Sequence, residues 1–171
     1  MPNHISFWGD DSETGAYILW IEVAKNIEVT FGRFQNGRPV AVPTGYYVYV
    51  GSAMGRRGSS SLVGRLLRHA TRTGPKPPHA LRALMPGALA AAGLSGPAAP
   101  PAGKRLHWHI DYLLDDPAAE IAHVLVIRSG TRLESELARA LAAHPSFAPL
   151  APGLGASDAA GETHLFRSMG N

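Results

Sequence analysis

The chain has 171 residues, which fits one domain with its own core and leaves little for a second. It contains no cysteine, so disulfides, thiolate metal sites and cysteine nucleophiles are excluded. A formal charge of +3 and a pI near 9.5 favour a polyanionic partner, and no apolar run approaches bilayer-crossing length or resembles a secretory leader, so a soluble cytoplasmic protein is expected.

Residues 16–23 are almost wholly aliphatic and aromatic, and 27–34 repeat that character with some alternation, so both read as strands. Asn36-Gly37 signals a turn, and Pro43 limits entry to a third strand over 46–50. Ser59-Ser60-Ser61 offers N-caps for a helix over 62–73. Its spacing divides Leu62, Val63, Leu66, Leu67 and Ala70 from Arg65, Arg68, His69 and Arg72. Residues 74–105 are rich in Ala, Pro and Gly and read as an insertion or mobile loop, with a short helix near 80–85.

Leu106-His107-Trp108-His109-Ile110-Asp111-Tyr112-Leu113-Leu114 has an ambiguous period. As a short helix it pairs His107 with Asp111. As a strand it lines up His107, His109 and Asp111, a set able to hold Zn²⁺. A strand over 119–127 follows, then a helix capped by Thr131 with Glu134 and Glu136 in its first turn. The tail reads as a loop docking through Leu165 and Phe166.

These elements predict one α+β domain over 1–171, a small antiparallel or mixed sheet of three to four strands flanked by about three helices. Tyr17, Tyr47 and Tyr49 on strands stand near Arg65 and His69, one helical turn apart. Phenols beside guanidinium groups suit a site that holds a phosphate and handles a proton. A carboxylate from Glu134 or Glu136 completes the set.

Gly15-Ala16-Tyr17 and Tyr49-Val50-Gly51, the latter inside Gly45-Tyr46-Tyr47-Val48-Tyr49-Val50-Gly51-Ser52-Ala53, resemble the two signature triplets of the GIY-YIG nuclease superfamily, in its little-characterised small-domain branch. Gly64-Arg65-Leu66-Leu67-Arg68-His69 resembles its basic helix, and the block at 107–114, Glu134-Ser135-Glu136-Leu137-Ala138, and Ser157-Asp158 through His164-Leu165-Phe166 resemble later blocks. The resemblance implies metal-dependent hydrolysis of nucleic-acid phosphodiesters, DNA in preference to RNA, with Mg²⁺ or Mn²⁺. It implies Tyr17 as the group that orients or deprotonates water with help from Tyr49, and Arg65 as the grip on the phosphate. It makes His69 a donor or proton relay and Glu134 the metal ligand, with Glu136 the fallback. Arg68, Arg72, Lys104 and Arg105 are expected to touch nucleic acid, with a homodimer or partner protein completing the grip. The alternative is a binding module of the same fold with weak or no hydrolysis.

Overall fold

The computed structural model describes residues 4–96, 103–155 and 161–170. Strands β1 (Ile5–Gly9), β2 (Gly15–Val23), β5 (Gly45–Ala53), β6 (Ala119–Arg128), β7 (Phe147–Pro149) and β8 (Leu165–Ser168) form one mixed sheet in the order β1-β6-β2-β5-β8-β7, while β3 (Ile27–Val29) and β4 (Val40–Val42) pair by themselves. Among the described residues four α-helices accompany them, α1 (Leu62–His69), α2 (Met85–Ala91), α3 (His109–Leu114) and α4 (Glu134–Ala143). The expected sheet of three to four strands with three helices is therefore wrong.

The reasons are physical. β2 does not pair with the strand that follows it. Its neighbours are β5 and β6, both antiparallel, and β6 lies between β2 and the parallel β1. The expected strand over 27–34 stops at Val29 because its partner, β4, leaves the main sheet with it. Between them Gln35, Asn36 and Gly37 all have positive φ (48°, 58° and 73°), so the Asn36-Gly37 signal marks a broader excursion than a two-residue hairpin. The docking tail over Leu165 and Phe166 is strand β8, whose main chain pairs with β5 and β7. β1, β7 and β8 have five residues or fewer, too few for a period to show.

Two apolar layers sandwich the sheet. On one face Tyr17, Leu19, Ile21, Val124 and Val126 pack against α1 and α3 through Leu62, Leu66, Leu67, Ile110 and Leu113. Each of those leucines contributes roughly 1.5–3 kcal/mol of burial. On the other, Ile18, Val48, Val50 and Phe166 meet Leu137 and Leu141 of α4.

Ser61 opens α1 by accepting the Gly64 N–H at 3.1 Å. The helix ends at His69, short of the expected residue 73. There the Asp115 carboxylate takes the Thr73 N–H at 2.6 Å and the Thr73 hydroxyl at 2.8 Å, drawing the chain off the helix axis. α4 starts after Leu133 without a side-chain cap, so Thr131 does not cap it. The segment over 74–105 anchors in the core through Leu81, Met85, Leu89 and Leu94, and its residues 97–102 lie outside the described residues.

Candidate functional site

β2 and β5 pair so that Tyr17 lies opposite Gly51. Both Tyr17 and Tyr49 point to the face covered by α1, with ring centroids 6.4 Å apart. A Cβ at Gly51 would lie 2.4 Å from Cζ and Oη of Tyr17, so only glycine lets this ring lie across its neighbouring strand. Gly51→Ala is expected to cost about 1–3 kcal/mol of stability through overpacking and to pull the phenol from its partner. A denaturant midpoint unchanged in that variant would refute the close approach.

That partner is His69. Tyr17 Oη lies 2.7 Å from His69 Nε2, and His69 Nδ1 faces Asp111 Oδ1 at 3.7 Å. With the imidazole proton on Nδ1 toward the carboxylate, Nε2 accepts the phenolic hydrogen. The row runs phenol, imidazole, carboxylate, with Tyr17, His69 and Asp111 at 0, 1 and 0% exposure.

Asp111 is held from several sides. Its Oδ2 accepts from Arg68 Nη2 at 2.7 Å and from the N–H groups of His107 and Trp108 at 2.9 and 3.1 Å. Lys104 Nζ stands 3.8 Å from Oδ1. Burial works to raise the Asp111 carboxyl, but His69, Lys104 and Arg68 outweigh it and keep it well below the usual carboxylate range. Burial lowers His69 against the opposing pull of Asp111, so the imidazole is neutral. Burial also raises both Tyr17 and Tyr49, and the Arg65 charge does not overcome it. The resting site thus holds a neutral phenol rather than a phenolate.

Arg65 borders the row. Its Nε donates to Ser59 O at 2.7 Å and its Nη1 to Ser52 O at 3.1 Å, while the guanidinium lies 4.0 Å from the centre of the Trp108 ring. Ser52, from β5, donates its hydroxyl to Glu134 Oε2 and accepts from Arg132 Nη1 at 3.1 Å. His164 sets Nδ1 3.1 Å from Glu134 Oε1 and Nε2 2.9 Å from Glu162 Oε2. Burial works to raise Glu134, but His164, Ser52 and Arg132 outweigh it and keep it ionised. Burial lowers His164 less than the two glutamates raise it.

Tyr17, Tyr49, His69, Arg65 and Glu134 therefore gather at one end of β2 and β5, with Arg65 linking the phenol–imidazole row to the Ser52–Glu134 cluster. Glu136 is exposed on α4 and takes no part in that cluster.

The four expected nucleic-acid contacts fare differently. Arg72 has a side chain only 3% exposed and spends its donors on Leu114 O, Pro77 O, Ala119 O and Glu120, tying α1 to the strand edge. Lys104, also 3% exposed, donates to Thr71 O at 2.6 Å, and Arg68 is committed to Asp111 and Arg105 O. Only Arg105 is exposed. Helical spacing marks which residues share a face but not which carbonyls cover that face.

A divalent cation can be weighed against the donors present. Glu134 is ionised, and each oxygen retains acceptor capacity beyond the Ser52 hydroxyl and the His164 ring. Mg²⁺ is commonly held by one or two carboxylates, water and substrate oxygens, so this set fits Mg²⁺ or Mn²⁺ bound together with a phosphorylated substrate. Among the described residues no group of three or more His, Asp or Glu forms a protein-only cage.

The Zn²⁺ reading of His107, His109 and Asp111 required a strand. Here α3 begins at His109, whose Nδ1 accepts the Gly155 N–H at 3.1 Å, while Asp111 Oδ2 is taken by Arg68 and the N–H groups of His107 and Trp108 and its Oδ1 faces His69. The sequence presents Asp111 as a partner of His107 or a Zn²⁺ ligand, not as the support of His69. Ser52, Arg132 and His164 carried no assigned role, because the Ser52 contacts with Glu134 and Arg132 span 80 residues or more and the His164–Glu134 contact joins helix α4 to the segment ahead of β8. Ser157 and Asp158 lie outside the described residues.

The family model for a domain of unknown function, DUF123, matches residues 16–171. No curated protein and no solved structure matches the chain.

Proposed function

The chain belongs to the DUF123 family, and we propose that it hydrolyses nucleic-acid phosphodiesters in the cytoplasm, DNA in preference to RNA, with Tyr17 as the group that activates water. The observation that carries this is the hydrogen bond from the buried phenol of Tyr17 to His69, backed by Asp111 and bordered by Arg65. The sequence resemblance to GIY-YIG nucleases supports the same assignment.

A phenol raised by burial is a poor resting base, so its proton must leave as it takes another from water. His69 Nε2 receives that proton, and the imidazolium so formed faces the Asp111 carboxylate. Neither His69 Nδ1 nor Asp111 Oδ1 forms a hydrogen bond at rest, so the new charge draws the two together. Arg65, fixed by two carbonyls and the Trp108 ring, turns its remaining N–H groups toward the phosphoryl oxygens. Glu134 would hold a divalent cation, which supplies Lewis-acid neutralisation of phosphoryl charge when bound.

Arg65→Ala and Glu134→Gln are each expected to lower metal-dependent cleavage at least a hundredfold, about the loss for one missing electrostatic stabiliser, on labelled nicked, flapped and single-stranded DNA. The pH profile has a definite sign. His69 accepts a proton only when neutral and is held below its ordinary value, so the rate rises with pH along an acid limb centred below the ordinary imidazole range. An acid limb centred above that range would show that some other group is titrating.

The complete enclosure of Tyr17 favours a second reading, a binding module without appreciable hydrolysis. Salt-dependent binding to DNA with no cleavage of any of those substrates by the unsubstituted protein would establish it.

A further inference from the structure

The structure places a second guanidinium, the exposed one of Arg132, at the same residue, Ser52, that the partly buried Arg65 meets. Arg65, from α1, donates Nη1 to the Ser52 carbonyl at 3.1 Å, and Arg132, from the segment joining β6 to α4, donates Nη1 to the Ser52 hydroxyl at 3.1 Å. Two guanidinium groups thus converge on one residue from elements more than 60 positions apart. We propose that Arg65 and Arg132 form a clamp that grips a single phosphoryl group above Ser52, a proposal that rests on the phosphodiester reading and extends it to how the phosphate is held.

Each arginine has donors to spare. Arg65 uses Nε and one Nη1 hydrogen on Ser59 and Ser52, and Arg132 uses one Nη1 hydrogen on Ser52, out of five N–H groups on each fork. Trp108 covers one face of Arg65, which leaves its edge to meet a ligand. Arg132 also pairs with Glu134 at 3.5 Å, yet its side chain is 64% exposed, and an ion pair that open to water contributes little by itself. Glu134 repels a phosphate at this position. Two forked cations facing the same oxygens outweigh one carboxylate that His164 and Ser52 already partly neutralise. A planar fork suits tetrahedral phosphate oxygens in a way that an ammonium does not.

The clamp is tested by titrating inorganic phosphate into the unsubstituted protein while following the Nε–H resonances of both arginines. Both are expected to move and to saturate with one shared dissociation constant. Arg132→Ala should weaken phosphate about tenfold, as expected for losing a hydrogen bond to a charged group, and Arg132→Lys should not restore it. Arg65 moving alone, two different saturation points, no response from either, or unchanged affinity in Arg132→Ala would overturn the clamp. Cleavage assayed on the same protein separates the two ideas. Shared phosphate binding without hydrolysis removes the hydrolytic reading and leaves the clamp, whereas hydrolysis with Arg132 silent removes only the clamp.

Discussion

Tyr17→Phe is expected to reduce cleavage a hundredfold to ten-thousandfold, about the contribution of a positioned general base, while the fold persists. The phenyl ring fills the same space against Gly51 and Tyr49, so packing hardly changes. What disappears is the hydroxyl that meets His69 Nε2, and the neutral imidazole loses a partner at a cost of about 1 kcal/mol. Tyr49→Phe provides the comparison, because the hydroxyl that meets His69 is that of Tyr17. Equal losses in the two variants, measured as kcat under saturating substrate, would mean that the hydrogen-bonded row is not what sets the rate. An unaltered kcat in Tyr17→Phe would remove Tyr17 from the mechanism.

Asp111→Ala is expected to be the most damaging single change to stability. It strips the partner from Arg68 and from Lys104, whose side chain is 3% exposed, and frees the N–H groups of His107 and Trp108. Breaking a buried ion pair from one side costs about 3–5 kcal/mol because the remaining charge stays buried, a large share of the 5–15 kcal/mol that typically holds a domain together. Asp111→Asn keeps the shape and one acceptor, so it should fold better while still impairing the support of His69.

The pH sign agrees. A carboxyl held below its usual range stabilises the fold above that range and loses the contribution as pH falls through its folded value. The buried neutral His69 acts the same way nearer neutrality, since the unfolded imidazole takes up a proton that the folded one resists. Wild-type stability should fall on acidification, and the fall below pH 4 should be smaller in Asp111→Asn. Identical acid profiles in urea titrations would show that Asp111 contributes no such linkage.

Much of the site was legible because it is built on local periodicities. α1 announced its two faces, and the alternation of β5 placed Tyr47 and Tyr49 on one side. Those faces fixed Arg65 and His69 as neighbours, and the structure brings both to the tyrosines. The order of importance was less legible. The spacing did not separate Tyr17 from Tyr49, and the bond to His69 belongs to Tyr17, because pairing across the sheet sets Tyr17 over a glycine. Arg72 and Lys104 looked like surface cations until the chain that returns over 114–120 and the turn after α1 supplied carbonyls to cover them. Strand order was the least legible, since the pairing of β1 with β6 joins residues more than 110 positions apart.

The placement of β6 between β1 and β2 carries a consequence for how the protein is made. During synthesis the N-terminal third emerges with one long edge of β2 uncovered, and its partner arrives only after residue 119 has been added. At about 5–20 residues per second this edge stays open for several seconds. A nascent chain in that interval carries Tyr17 on an incomplete sheet and lacks Asp111, Arg132 and Glu134 for most of it. The proposed chemistry therefore requires the last third of the chain to close the sheet, and a ribosome that stalls earlier is expected to release a fragment with an open, sticky edge.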